Sequence, residues 1–125
     1  MELKMYNVTI DVDPVKRLIR FAVTGYPAPN EVKLIQEKRR VKVRELRRSG
    51  TYFLMLGDLR QAGILPQDDA ASVSSEMQWL VENGLRKSAN IVASTLQQMQ
   101  VNRMAGSPIF RCFTDEQEAL DWLMS

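Results

Sequence analysis

Histidine is absent from this 125-residue chain and cysteine occurs once. Without histidine there is no His-based triad, no histidine metal site and no imidazole general base. A single cysteine excludes an intrachain disulfide and a structural zinc site. No apolar stretch approaches the roughly 18 residues that a membrane-spanning helix needs. No G-x-G-x-x-G, Walker or G-x-S-x-G sequence occurs, nor any repeat, low-complexity tract or long linker. These absences predict a protein that is not an enzyme and that uses neither metal nor cofactor.

The rest of the composition is that of an ordinary globular domain. At 45% hydrophobic residues, a chain of this length buries roughly two thirds of the surface its unfolded form exposes. A single domain over residues 1–125 is expected. Residues 1–20 alternate polar and apolar side chains with Lys4, Lys16, Arg17 and Arg20 interspersed. That pattern is neither a signal peptide nor a transit sequence, and it predicts a cytoplasmic protein with a reduced thiol.

Tyr6, Val8, Ile10 and Val12 alternate with polar neighbours, as do Ile19, Phe21 and Val23, which predicts an antiparallel hairpin. Asp13, Pro14, Val15 and Lys16 form its turn, with Asp13 placed to accept from forward backbone amides. Gly25 to Asn30, with Pro27 and Pro29, breaks the chain before a long helix over residues 31–48 that Ser49 and Gly50 stop. Short apolar runs at 52–56, 89–93 and 109–113 then alternate with helical patterns at 68–83, 95–105 and 115–123. Thr114 and Gln117 have the spacing of a capping box. The order β-β-α-β-α-β-α-β-α predicts an α/β domain with a mixed, mostly parallel sheet of four or five strands.

Charge is unevenly spread. Residues 33–60 hold nine basic and three acidic side chains, whereas residues 61–125 hold four and eight, giving +6 and −4. Most of the excess lies on the first helix, including Arg40 and Arg44. The helix lacks the interleaved aromatics and motifs of a nucleic-acid binder, so the face is either solvated or a surface for a protein partner or second copy. At 100° per residue, Val32, Ile35, Val43 and Leu46 share the sheet-facing side, while Leu34 and Val41 lie nearly opposite and offer a dimer or partner contact. Trp79 falls among Ser72, Ser75 and Glu82 on its helix, away from Val73, Met77 and Leu80. That position predicts an outward indole for a partner or dimer contact, or a partly covered packing role.

Asp58, Asp68 and Asp69 are predicted to gather at the carboxyl end of the third strand, where open α/β sheets bind ligands. Three carboxylates there would suit a divalent cation, yet helix-start and loop roles explain the same residues, and no metal site is assigned. Ser94 and Thr95 end the next strand as candidates for a polar ligand or for a helix cap. Cys112 shares a strand face with Phe110 and reads as a small buried hydrophobe. Met77, Met99 and Met104 sit on helices flanking the later strands and admit an adaptable apolar pocket or plain core filling.

FLMLGDLRQAG at 53–63 is similar to the apolar third strand, ending in Asp-Leu, of the STAS or SpoIIAA-like superfamily. FRCFTDEQEALDWL at 110–123 resembles that superfamily's last strand and closing helix. The resemblance implies a sheet with helices wound around it and a non-catalytic role in protein interaction or small-ligand sensing. In the antagonist branch an Asp-Ser-Ser-Gly-type sequence carries a phosphorylated serine. Here Asp68, Asp69, Ala70, Ala71 and Ser72 stand in its place and no serine of that stretch is followed by glycine. The chain therefore looks like the stand-alone STAS-like proteins of bacteria and not the phosphoswitch branch. The expectation is a regulatory or interaction module acting through a protein partner or as a homodimer. The alternative is a carrier or sensor of a small apolar or amphipathic ligand, by analogy with the lipid-carrying CRAL/TRIO domains that share the fold.

Overall fold

The computed structural model describes residues 6–28 and 30–125. Pro29 of the predicted break, and Lys4 of the N-terminal pattern, lie outside the described residues. The elements are β1 (Asn7–Asp13), β2 (Leu18–Gly25), α1 (Glu31–Arg48), β3 (Phe53–Ala62), α2 (Gln67–Glu82), β4 (Leu85–Ile91), α3 (Thr95–Met104), β5 (Phe110–Phe113) and α4 (Glu116–Met124). They form one five-stranded sheet in the order β1-β2-β3-β4-β5. β1 runs antiparallel to β2 in register from Asn7↔Thr24 to Asp13↔Leu18, and every other neighbouring pair is parallel. This is the predicted α/β architecture.

The hairpin turn is held as its residues dictate. Asp13 Oδ1 accepts from the amides of Val15 at 3.1 Å and Lys16 at 3.2 Å. Arg17 then adopts a left-handed φ of 55°, and its side chain ties three segments together. Its Nε donates to the Tyr52 carbonyl at 2.7 Å and Nη2 to the Leu46 carbonyl at 2.6 Å. That guanidinium explains Gly50, whose added Cβ would lie 2.6 Å from Arg17 Cζ. The helix stop differs from expectation accordingly: Ser49 is the C-cap, and Gly50 makes room for an arginine instead of supplying a left-handed turn.

Each parallel strand joins its immediate neighbour through one helix, and each step moves the same way across the sheet. Right-handed crossovers then place α1, α2 and α3 on one face. The side chains agree. Ile19, Phe53 and Met55 pack with Val43 and Leu46 of α1 and Leu80 of α2. The alternate residues Leu18, Leu54 and Leu56 pack with Ala119 and Leu123 of α4 on the opposite face.

Three boundaries depart from the sequence reading. β3 runs six residues past the predicted end, paired with β2 as far as Gly25↔Ala62; Gly57 admits the Phe21 ring over the strand there. Asp58, Arg60 and Gln61 had broken the apolar signature without breaking the ladder. β4 occupies 85–91 instead of 89–93, because the strand starts directly after Gly84, which turns at φ 105°. The cap of α4 is Asp115, accepting from the Glu118 amide at 3.0 Å, while Gln117 bonds to Asp121. The Thr114/Gln117 capping box is not formed.

Candidate functional site

Three helices spanning one sheet face do not close over it completely. Between them and the sheet lies a cavity of about 120 Å³, toward the carboxyl ends of the parallel strands. Its floor is Phe21 of β2, Leu59 of β3, Asn90 of β4 and Phe110 of β5. Its roof is Ile35 and Arg39 of α1, Met77 of α2, and Val101 and Met104 of α3. Tyr6 and Val8 close the β1 side. Two glutamines hold the frame. Gln97 donates to the carbonyls of Leu59 at 2.7 Å and Ala62 at 2.9 Å while accepting from the Ala93 amide at 2.7 Å. Gln100 accepts from the Leu65 amide at 3.1 Å and donates to its carbonyl at 3.0 Å.

Among the described residues, the one charged group in this lining is Arg39, which is 5% exposed. Its guanidinium lies 5.5 Å from the Phe21 ring centre and its Nη2 is 3.6 Å from Oε2 of the buried Glu76. Glu76 is engaged more tightly from the other side, where Arg40 donates to Oε1 through Nε at 2.9 Å and Nη2 at 2.7 Å. Two guanidiniums thus share one carboxylate. Among the described residues, Arg39 Nε and Glu76 Oε2 have no hydrogen-bond partner. Burial pulls the Arg39 pKa below its ordinary value, opposed by the nearby charge of Glu76, but a guanidinium remains protonated at any ordinary pH. Tyr6, at the cavity edge, has its pKa raised chiefly by burial, with Glu31 and Asp69 adding to the rise and Arg39 opposing it, so its phenol stays neutral.

The predicted site residues fall in several places. Leu34 and Val41 are exposed as expected, at 55% and 49%, and Arg44 is exposed beside them on α1. Trp79 does not project outward. It packs partly buried against the α1/α2 core, with the Arg40 guanidinium 4.2 Å from its ring centre and Arg44 at 5.9 Å. The carboxylate trio does not assemble. Asp58 shares the α4 face with Leu54 and Leu56, where Arg60 Nη2 meets it at 2.9 Å and holds its carboxyl below the usual range. Asp68 and Asp69 are the acidic first turn of α2. No group of three His, Cys, Asp or Glu among the described residues is placed to hold a metal ion. Ser94 caps α3, accepting from the Gln97 amide at 3.1 Å, and Thr95 is its exposed first residue. Met77 and Met104 line the cavity, whereas Met99 is 44% exposed. Burial pushes the half-buried Cys112 thiol upward.

Arg39, Glu76, Gln97 and Gln100 were missing from the sequence reading, although two of them carried a signal. Arg39 lies seven residues after Val32 and four before Val43, on the buried stripe of α1. Glu76 lies three after Val73 and four before Leu80, on the buried stripe of α2. Opposite charges on two buried stripes mark a buried pair.

No family model matches the chain, and no curated protein does. The solved structures give a clear likeness in fold. An uncharacterised protein of the DUF3478 family with a SpoIIAA-like fold, from Shewanella loihica PV-4, superposes with a TM-score of 0.70 at 18% identity over 98% of both chains. The chain therefore has the SpoIIAA-like fold that the two sequence segments implied, in an α/β domain with five strands and four helices. No helix among the described residues is long and apolar enough to cross a membrane.

Proposed function

We propose that this protein is a non-catalytic binding module that carries or senses a small, mostly apolar molecule held between the sheet and helices α1 to α3. The observation that supports it is the cavity itself: apolar walls and one buried guanidinium, on the face that the crossover helices cover. That combination is the usual make-up of a small-molecule site, in which apolar surface supplies affinity and a few polar groups fix orientation. The charged groups present are an arginine and its carboxylate partner, a set suited to recognition more than to proton transfer.

The test is a titration of the full chain with benzyl alcohol, followed through the methionine methyl resonances. Met77 and Met104 shift saturably while the exposed Met99 stays in place. Unchanged spectra, or shifts at Met99 equal to those in the cavity, overturn the reading.

A second reading rests on α1's outer side, where Leu34 and Val41 stand exposed with Arg44. This strip is the surface on which a protein partner or a second copy would dock, so that α1 faces a ligand inward and a partner outward. Native mass spectrometry at low micromolar concentration tests self-association: a dimer mass lost in Leu34→Glu supports it, and a monomer at all concentrations removes the homodimer.

A further inference from the structure

We infer that the cavity takes a small monocarboxylate with a compact apolar body, its carboxylate seated on the Arg39 guanidinium. The inference rests on the cavity reading above and adds the ligand's charge, size and orientation. Arg39 Nε is a buried charged donor with no hydrogen-bond partner among the described residues, and buried charged groups are stable when paired and hydrogen-bonded. Its ion-pair partner leaves it incompletely served. Arg40 takes Glu76 Oε1 with two short bonds, while Arg39 Nη2 stands 3.6 Å from Oε2, beyond hydrogen-bond length. Two positive groups against one carboxylate leave one excess positive charge, and Arg39 is the member of the pair that lines the cavity. One anionic group balances it, whereas a dianion would bury a surplus negative charge.

Most of the lining is a wall for an apolar body, with Phe21, Met77, Val101 and Phe110 prominent and Asn90 and Gln97 as buried polar neighbours. The volume bounds that body. About 120 Å³ is near the scale of the engineered apolar cavity of about 150 Å³ that binds benzene. A single ring or a short branched chain fits, and a long acyl chain does not without displacing the methionines. A guanidinium edge suits a carboxylate better than a neutral hydroxyl, because the hydrogen bond is charge-assisted.

The experiment compares benzoate with its near-isostere benzyl alcohol, by calorimetry and methyl shifts, on the full chain and on Arg39→Met. The substitution keeps the two Arg40–Glu76 hydrogen bonds, and Arg39→Lys serves as a second variant, retaining the charge without Nε. Benzoate binds the unmodified protein about tenfold more tightly than the alcohol, the factor expected of a buried charge-assisted hydrogen bond. Arg39→Met erases that preference, bringing the two probes to equal affinity; Arg39→Lys recovers only part of it. Equal affinities for the two probes, or a preference that survives Arg39→Met, overturn the assignment of a carboxylate to Arg39 while leaving the cavity reading intact. Binding of neither probe overturns both.

Discussion

The two faces of one sheet are filled on different principles. Against α4 the sheet presents Leu18, Leu54, Leu56, Ala89 and Ile91 to Ala119 and Leu123, a core of apolar side chains packed directly on one another. Against α1 to α3 it presents an apolar core around Ile19, Phe53 and Met55 and, beside it, Phe21 and Asn90 to a cavity whose roof carries Arg39 of a buried ion cluster. β4 writes both faces into one strand, since Ala89 and Ile91 alternate with the buried polar Ser88 and Asn90. A single helix can settle onto a sheet until its contacts close. Three helices held by three crossovers are fixed in position by their own ladders and by the Gln97 and Gln100 clamps, and the space they leave is available for recognition.

Glu76→Gln breaks the ionic face most severely. It leaves two guanidiniums, one of them fully buried, without their shared anion, and removing one partner of a buried pair typically costs about 3 to 5 kcal/mol. Arg39→Met is far milder, within about 1 kcal/mol, because Glu76 keeps both Arg40 bonds and an unpartnered buried donor disappears. Urea denaturation of the two variants reads this asymmetry. Equal losses would mean that Arg39, and not Arg40, is the principal partner of Glu76.

Leu123→Ala and Met77→Ala compare the faces directly. Leu123 is 3% exposed in the close-packed α4 core, so its truncation opens a new void and costs about 3 kcal/mol. Met77 already borders open space, has fewer contacts to lose, and costs about 1 kcal/mol by the same reasoning. The ligand-binding consequence runs the other way: Met77→Ala changes affinity for benzyl alcohol and Leu123→Ala leaves it alone. Matching stability losses in thermal or urea melts would show the cavity face to be as tightly packed as its opposite.

How far the sequence discloses this arrangement follows from what each signal measures. Periodicity placed the hairpin, α1 and the element order, because Val8, Ile10 and Val12 or Val32, Val43 and Leu46 repeat at the spacing that burial demands. It misplaced β4 because alternation there sets Ser88 and Asn90 against Ala89 and Ile91, which reads as a half-exposed strand although both faces are covered. The ionic site was hidden by counting charge along the chain. Arg39 was one of many basic residues on α1, and only the pairing of that helix with α2, a tertiary fact, sets Arg39 and Arg40 around Glu76. Of the two alternatives for Trp79, the partly covered packing role is the one seen; a single helical wheel shows which side faces the sheet, not which side faces the neighbouring helix, and so left both open.

The smallest effect lies on the α4 face and concerns its exposed ion pair. Arg60 hydrogen-bonds Asp58 at 2.9 Å and 3.0 Å and lowers its carboxyl pKa below the ordinary value. A carboxylate whose folded pKa is depressed contributes stability that is fully present above its unfolded pKa, about 3.9, and is lost as pH falls through the folded value. With both side chains substantially exposed, at 32% and 44%, solvent screening holds the contribution under about 1 kcal/mol. The stability of Asp58→Asn relative to the unmodified protein is therefore lower by a few tenths of a kcal/mol at neutral pH, and the difference vanishes below the folded pKa. Urea melts from pH 7 to pH 3 measure it. A difference that persists undiminished in acid would mean that Asp58 acts through packing and its backbone hydrogen bond to Arg60, not through its charge.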